Sequence, residues 1–442
     1  MSSLETALTE VNVPTRSSTT IRRESTHSGI AWKAIPLLVA SVVALSGCAA
    51  EPGEKPAPTT NETVTDQGVT KDTIKIGILG PYSGAASIYS KADRMAEALY
   101  AQINDKGGIN GRKIEIVTGD TNCDAASLQG IIRKFVEQDK VFMINGGSCS
   151  NAIVSAKPLI EQLGIPFLTV NAASAAISNP AVKNLFHAKA TVEEQIKAIA
   201  AFMQSNKDAK TVSIAATSDE WGQGYVPPLE KGLAGGTLKI STIEQLDPQG
   251  GDSTPAIRKM INSGADMAAV FAYPQPMTVF LQSARPQGLK IPIVTGDGTR
   301  PEEQMGRLGT RALAEGFFSV YSYTATLDDA RFAPYKDLFT KANPNLAWDT
   351  VALEGAVSAE FNIAVLQEMG DELTWANWIK TAETIKFDST VSGPMAFKPF
   401  DAADPQSRRP GIQLKFSALD PKSTAAKVVV VKDWDEWLSV SK

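Results

Sequence analysis

Short β-rich segments alternate with amphipathic helical segments over most of this chain. Residues 74–79 form the first predicted strand, and residues 91–106 form the helix that follows, in which Met95, Leu99 and Ile103 share one face. Parallel strands need a crossover connection, which is usually a helix. The alternation therefore predicts an α/β fold whose parallel sheets are built from βαβ units.

The length of the chain predicts two lobes. Its 442 residues exceed what one hydrophobic core usually supports. The strand–helix alternation resumes at residues 212–217, turns mostly helical beyond residue 323 and ends in a last strand at residues 428–431. The formal net charge is −5 with both signs interspersed, which argues against nucleic acid or an anionic membrane surface as a partner.

An apolar segment near the N-terminus predicts export and anchoring. Residues 34–45 have the size of a signal-peptide core and are too few to span a bilayer as a helix. The segment ends in Leu-Ser-Gly-Cys48, which resembles the lipobox of bacterial lipoproteins; a chance cysteine after an apolar helix is the alternative. We therefore expect a signal peptide over residues 1–47, a lipid on Cys48 and a disordered tether over residues 48–72, where little can be buried.

Motifs for catalysis, metals and cofactors are missing from the sequence. It contains two histidines; His27 precedes the expected cleavage site, and His187 alone cannot build a metal site. There is no Gly-x-Ser-x-Gly or Cys-x-x-Cys motif, and the spacing of Gly77, Gly80 and Gly84 fits neither a dinucleotide fingerprint nor a phosphate loop. We therefore expect no catalytic residues, no metal and no cofactor.

Polar and aromatic residues follow successive predicted strands. Ligands of parallel sheets bind at the carboxyl ends of the strands. Residues 146–151 follow one strand and open a helix, where backbone N–H groups and the Ser150 hydroxyl would suit a carboxylate. Other strands are followed in the same way by residues 171–174, 219–222, 273–274 and 296–298.

Several stretches resemble the branched-chain amino-acid-binding proteins of bacterial ABC transporters. Residues 74–84 (IKIGILGPYSG) look like the opening of that family, and residues 103–111 (INDKGGING) look like its IN-x-x-GGI-x-G turn. The spacing of Cys123 and Cys149, with Ser150 just after, is similar to its small disulfide loop. An even cysteine remainder after Cys48 also suggests this disulfide, although two free buried thiols are the alternative.

The resemblance implies a type I periplasmic-binding fold. Two Rossmann-like lobes would be joined by a three-strand hinge and would close on a ligand. Lobe I would comprise residues 73–190 and 325–388, and lobe II would comprise residues 191–324 and 389–442.

The resemblance also implies a ligand site between the lobes. Ser150 and Ser174 would meet a ligand carboxylate beside the backbone of Ala172, and Asp297 would face an ammonium group. Aromatic residues would line the region of the ligand side chain. The complete set is Tyr89, Cys149, Ser150, Ala172, Ser174, Trp221, Tyr273 and Asp297.

The sequence departs from the branched-chain pattern at three of these positions. Asp297 stands where the family often has the longer Glu, Ser174 where it often has Thr, and Trp221 where Tyr is common. The larger indole of Trp221 would reshape the pocket, so the resemblance does not imply a leucine-like ligand.

These features together predict an envelope-anchored solute-binding lipoprotein of an ABC importer. It would capture a small ligand, an amino acid or a related compound, and deliver it to a permease with its ATPase. We expect an extracytoplasmic location, contact with the membrane through the lipid alone and no nucleic-acid partner. Alternatives are a ligand-sensing receptor of the same fold and a binder of an amide, urea or an aromatic acid. An extracellular hydrolase is disfavoured because a nucleophile–base set is missing.

Overall fold

The computed structural model describes residues 65–442, apart from Ala85 and Val170, as two β-sheets with helices packed on both. Within this part of the chain no helix has the length and apolar character needed to cross a membrane. The predicted signal peptide, Cys48 and most of the predicted tether lie outside the described residues.

Lobe I is built on a five-stranded parallel sheet in the order β2-β1-β3-β4-β5. Most of β1 is buried because helices cover both faces of the sheet, as in other parallel sheets. The elements are β1 (Thr73–Gly80), α1 (Ser90–Asp105), β2 (Lys113–Asp120), α2 (Ala125–Glu137), β3 (Met143–Gly146), α3 (Ser150–Leu163), β4 (Phe167–Thr169) and β5 (Leu185–His187).

The chain then enters the second lobe and forms a further series of strands and helices. These are α4 (Val192–Ser205), β6 (Thr211–Thr217), α5 (Glu220–Gln223), α6 (Val226–Leu233), β7 (Lys239–Leu246), α7 (Thr254–Asn262), β8 (Met267–Phe271), α8 (Pro274–Ala284), β9 (Ile293–Thr295), α9 (Pro301–Leu308), α10 (Arg311–Ala314) and β10 (Phe317–Tyr321).

The C-terminal part of the chain contributes elements to both lobes. Its elements are α11 (Ala333–Ala342), α12 (Thr350–Glu368), α13 (Trp375–Thr384), β11 (Phe387–Ser389), β12 (Gly393–Met395), β13 (Lys415–Leu419), β14 (Val428–Val431) and α14 (Trp434–Ser441). Short 3-10 turns lie at Ser87–Tyr89, Ala175–Ile177, Ala330–Phe332 and Pro405–Arg408.

Lobe II is built on a seven-stranded mixed sheet in the order β14-β13-β10-β9-β8-β6-β7. The strands from β6 to β10 run parallel, whereas β13 pairs antiparallel with both β10 and β14. The two sheets confirm the predicted α/β class with two lobes.

Helix α12 is the central buried helix of lobe I. It is apolar on all sides, and buried residues follow one another from Thr350 to Ala359. It packs closely on α1: a Cβ on Gly355 would lie 1.8 Å from the backbone oxygen of Ala92. The absence of a side chain at Gly355 therefore sets the distance between the two helices.

The first crossover from lobe I to lobe II is flanked by two elements that the sequence pattern did not predict. Neither β5 nor α4 was predicted, because β5 has only three residues and lies in a stretch without a clear period. Helix α4 does carry a start signal. The Thr191 hydroxyl accepts a hydrogen bond from the N–H of Glu194, whose side chain accepts one from the N–H of Thr191. This capping box is readable from Thr-x-x-Glu in the sequence.

The boundary expected after residue 388 is wrong, because residues 389–408 pack on lobe I. Met395 and Phe397 are buried in the same core as Phe186 and Trp378. The guanidinium of Arg408 lies 4.6 Å from the centre of the Phe186 ring. Strands β11 and β12 form a hairpin that packs beneath the lobe I helices. The chain returns to lobe II only at β13.

The expected tether is also too long at its C-terminal end. Asp66 accepts a hydrogen bond from the backbone N–H of Trp375, at 2.7 Å. The Gln67 amide donates to the carbonyl oxygens of Val136 and Val141, at 3.2 and 3.0 Å. The polar residues just before β1 thus supply specific partners to lobe I, and the folded body begins by Asp66.

The described chain passes between the two sheets three times, after β5, after β10 and before β13. These segments lie side by side, because Ala188–Ala190, Ser322 with Tyr323, and Gly411 with Ile412 line one small cavity. The crossovers therefore meet the expectation of a three-strand hinge.

We predict that Gly355→Ala destabilises lobe I. The added methyl group overlaps the backbone of Ala92, so helices α1 and α12 must move apart, at a cost of roughly 1–3 kcal/mol in the free energy of unfolding. The measurement is urea unfolding followed by circular dichroism.

Gly130→Ala in α2 is the matched control, because a Cβ there meets no atom within 4 Å. This variant should gain about 0.5–1 kcal/mol, since alanine is the better helix former. Equal unfolding midpoints for the two variants would contradict the proposed close packing.

Candidate functional site

Loops that follow β3 and β4 carry most of the predicted site residues of lobe I. Ser150 is the first residue of α3, and its side-chain oxygen accepts hydrogen bonds from the backbone N–H groups of Ala173 and Ser174, at 3.1 and 3.2 Å. The same hydroxyl can still donate its own proton. The Ser174 hydroxyl accepts instead from the N–H of Ala176 and caps the turn that follows. The structure therefore brings Ser150 and residues 172–174 together, as predicted.

A disulfide fixes the start of α3. It joins Cys149, the residue before Ser150, to Cys123 in the loop after β2, with 5.4 Å between the two Cα atoms. The loop with Ala172 is held from the other side. His187 at the end of β5 is fully buried, and its Nε2 lies 2.6 Å from the carbonyl oxygen of Ala172. Since a carbonyl only accepts, Nε2 carries the proton. Burial lowers the pKa of His187 to about 4, so the ring is neutral and structural.

An aromatic cluster follows strands β6 and β8 of lobe II. Trp221 stacks on Tyr273, with 4.5 Å between ring centres, and meets Tyr225 edge-on at 5.1 Å. The Tyr273 hydroxyl donates to a carboxylate oxygen of Asp219, at 2.9 Å. Burial raises the pKa of Tyr273, and the Asp219 carboxylate raises it further, so the phenol keeps its proton.

The turn that carries Asp297 packs against this cluster. A Cβ on Gly298 would lie 3.3 Å from the Trp221 ring, so the small residue lets the turn approach the indole. The backbone N–H of Asp297 donates to the side-chain oxygen of Gln195, at 3.0 Å, and the Tyr225 hydroxyl donates to the same oxygen at 3.4 Å. Gln195 positions this turn. Gln195 was not predicted from the sequence because α4 was not predicted, although the capping box of α4 was an available signal.

Asp297 belongs to a buried ion cluster that connects the lobes. We call Lys189, Asp297, Arg300 and Glu354 the inter-lobe ion cluster. The Lys189 ammonium lies 2.6 Å from a carboxylate oxygen of Asp297 and 2.6 Å from one of Glu354. Arg300 approaches Glu354 at 3.5 Å, and the four side chains are 6 to 9% exposed. Lys189 lies on the first crossover, Asp297 and Arg300 on lobe II, and Glu354 on α12 of lobe I.

Electrostatics keep the basic members of this cluster charged. Burial by itself lowers the pKa of Lys189, but attraction to Asp297 and Glu354 outweighs it and the net pKa is raised. The pKa of Arg300 is raised in the same way, against the effect of burial. The hydroxyl of Tyr323, on the second crossover, donates to Glu354 at 2.9 Å. Of the four residues in this cluster, Asp297 alone was predicted from the sequence.

A cavity of about 360 Å³ opens beside the cluster, between the lobes. Its wall includes Tyr89, Arg300, Trp348 and Thr350, with ion pairs at its edge. Lys91 pairs with Asp349 at 2.5 Å, and Arg307 pairs with Glu303 at 3.0 Å. Within the described residues, no group of three or more His, Cys, Asp or Glu side chains is arranged to hold a metal ion.

The predicted site residues are divided between the two lobes, and Tyr89 lines the cavity between them. Cys149, Ser150, Ala172 and Ser174 lie on lobe I. Tyr89 lies on the same lobe, and its carbonyl oxygen accepts from the Asn171 amide at 3.4 Å. The remaining three, Trp221, Tyr273 and Asp297, lie on lobe II.

Comparison with known proteins agrees with this architecture. Residues 73–408 match the family model described as periplasmic binding protein. The leucine-, isoleucine-, valine-, threonine- and alanine-binding protein of Pseudomonas aeruginosa is 26% identical over 234 residues. That alignment covers 52% of this chain and 62% of the relative, which is less than two thirds of its length.

Solved structures share the fold at low sequence identity. The branched-chain amino acid transporter substrate-binding protein of Streptococcus pneumoniae, in complex with isoleucine, is 21% identical, with a TM-score of 0.69 over 81% of this chain and 99% of that one. The fatty acid ABC transporter substrate-binding protein of Thermomonospora curvata is 20% identical, with a TM-score of 0.67 over 84% and 94% of the two chains. The family match spans well over half of the chain and both lobes, and it confirms the resemblance found in the sequence: this chain belongs to the periplasmic binding protein family.

Proposed function

We propose that this chain is the solute-binding component of an ABC importer, which captures a small ligand between its lobes and delivers it to a permease. The observation that carries the proposal is the cavity of about 360 Å³ between the lobes. Ser150 on lobe I and Tyr273 on lobe II both follow parallel strands, and they would face the ligand from opposite sides. Three adjacent crossovers provide the hinge that would let the walls close.

The ligand is a small polar compound, an amino acid or a related molecule. The Ser150 hydroxyl and the N-terminal end of α3 favour a carboxylate, because backbone N–H groups and the helix dipole both attract anions there. The stacked rings of Trp221 and Tyr273 offer an apolar surface to the rest of the ligand. Two of the relatives support this range, since their names give small and branched-chain amino acids as ligands.

Anchoring and partners complete the proposal. The lipobox-like sequence at Cys48 would attach the protein to the outer face of the membrane through a lipid, and residues 49–65 would tether the folded body. A permease and its ATPase are the partners that a solute-binding protein of this family needs. The protein itself would make and break no bond.

We predict that a saturating ligand compacts the molecule. A thermal-shift screen over amino acids, keto acids and amides would identify a ligand, because binding at 100 times the dissociation constant stabilises the folded state by about 2.7 kcal/mol. Small-angle scattering with that ligand should show a smaller radius of gyration than without it. An unchanged radius at saturation would contradict the closing cleft.

Tryptophan fluorescence gives a second readout of the same closure. In this proposal Trp221 lines the closing cleft, so its emission should change on binding. Since the chain contains seven tryptophans, Trp221→Phe is the control that assigns the change. It should remove the signal and keep the contraction in scattering.

We also predict that Cys48 carries a lipid. Metabolic labelling with a fatty acid should mark the wild-type protein and spare Cys48→Ala, because the thiol is the acceptor in the lipobox reaction. Cys48→Ala should also release the protein from the membrane fraction. Equal labelling of both proteins would contradict the anchor and leave the ligand-binding proposal untouched.

A further inference from the structure

We infer that the ligand of this chain carries no ammonium group, because Lys189 already supplies the cation that Asp297 would otherwise take from an amino acid. The inference rests on the proposed function, which it deepens by naming the chemical class of the ligand. That class is a small carboxylic acid or neutral polar compound that lacks the ammonium group of an amino acid.

The geometry of the inter-lobe ion cluster carries the inference. The Lys189 ammonium lies between the carboxylates of Asp297 and Glu354, at 2.6 Å from each. These are the distances of charge-assisted hydrogen bonds. Arg300 adds a second positive charge beside Glu354, at 3.5 Å. Two acids and two bases therefore balance one another before any ligand arrives.

A ligand ammonium at Asp297 would have to displace Lys189 from this position. The lysine is part of the chain, so it competes at a high effective concentration and loses no translational freedom when it binds. Its displaced ammonium would remain in a region where the side chain is 9% exposed. A buried cation without its partner is strongly destabilising. An amino acid would therefore bind Asp297 only by breaking the ion pair between Lys189 and Asp297.

The acids around the cavity offer little alternative. Asp349 is paired with Lys91, and Glu303 is paired with Arg307. Glu302 is the exception, because its two carboxyl oxygens are buried and have no hydrogen-bond partner among the described residues. Burial raises the pKa of Glu302, which favours its neutral form and weakens its attraction for a cation. Glu302 is therefore the rival ammonium acceptor that the experiment must include.

The first experiment compares each amino acid with amine-free compounds that carry the same side chain. Wild-type protein is titrated by calorimetry with the common amino acids and with the α-keto acids and amine-free amides of the same side chains. Examples are leucine with ketoleucine, phenylalanine with phenylpyruvate and alanine with pyruvate. We expect at least one amine-free compound to bind about tenfold or more tightly than its amino acid.

Two results on the wild type would overturn the inference. One is an amino acid that binds as tightly as its amine-free partner or more tightly. The other is that none of the amine-free compounds binds in the titration. Loss of amino-acid binding in Glu302→Gln would then identify Glu302 as the acceptor in the first case.

The second experiment removes the internal cation. Lys189→Met frees the Asp297 carboxylate, so an amino acid should gain affinity relative to its keto acid by about tenfold or more. Lys157→Met is the matched control. This lysine is also buried on lobe I, but its ammonium donates to the carbonyl oxygens of Ala176 and Pro180 and contacts no acid of the cluster. The control should keep the wild-type preference.

Each of the two experiments tests the inference without the other. If Lys189→Met does not fold, the ligand pairs on the wild type still decide. An unchanged preference in a folded Lys189→Met protein would overturn the inference. Neither failure touches the proposed function, which depends on contraction with a ligand of any class.

Discussion

The buried pairing of Lys189 with Asp297 and Glu354 is the interaction on which the arrangement of the cleft depends. Each partner comes from a different part of the molecule: the first crossover, the lobe II sheet and the central helix of lobe I. None of these charges could remain buried alone, because desolvation of a single ion costs several kcal/mol. The crossover and both lobes therefore bring their charges to one point, where Tyr323 of the second crossover adds a hydrogen bond to Glu354.

Much of the fold follows from local patterns. Strands and helices with a clear period were predicted to within a few residues, as in α1, expected over residues 91–106 and found at Ser90–Asp105. The failures have local causes. Strand β5 is too short to show a period, and residues 389–408 carry no sign of the lobe they join. Their place depends on Phe186 and Trp378, which are distant in sequence and become neighbours only after folding.

The residues of the site also divide into those that the sequence predicts and those that it does not. Ser150, Ala172 and Trp221 follow strands, so the topology alone places them at the carboxyl ends of the two sheets. The partners of Asp297 could not be predicted, because a lysine on a crossover looks like any surface lysine. Glu354 is 165 residues away from Lys189 in sequence, on a helix whose pattern indicates only burial. Pairing of buried charges depends on the assembled fold, so the sequence pattern alone does not predict it.

The inter-lobe ion cluster also constrains how a binding protein of this kind can evolve a new preference. Loss of Lys189 alone leaves an excess of buried negative charge, and loss of Glu354 alone leaves an excess of buried positive charge. Each single step would cost roughly 3–5 kcal/mol, a large part of the stability of an ordinary domain. A drifting lineage would therefore have to exchange both residues together or acquire stabilising changes elsewhere first. Ligand range in this protein should shift in rare paired steps, while the exposed surface around the cleft can vary one residue at a time.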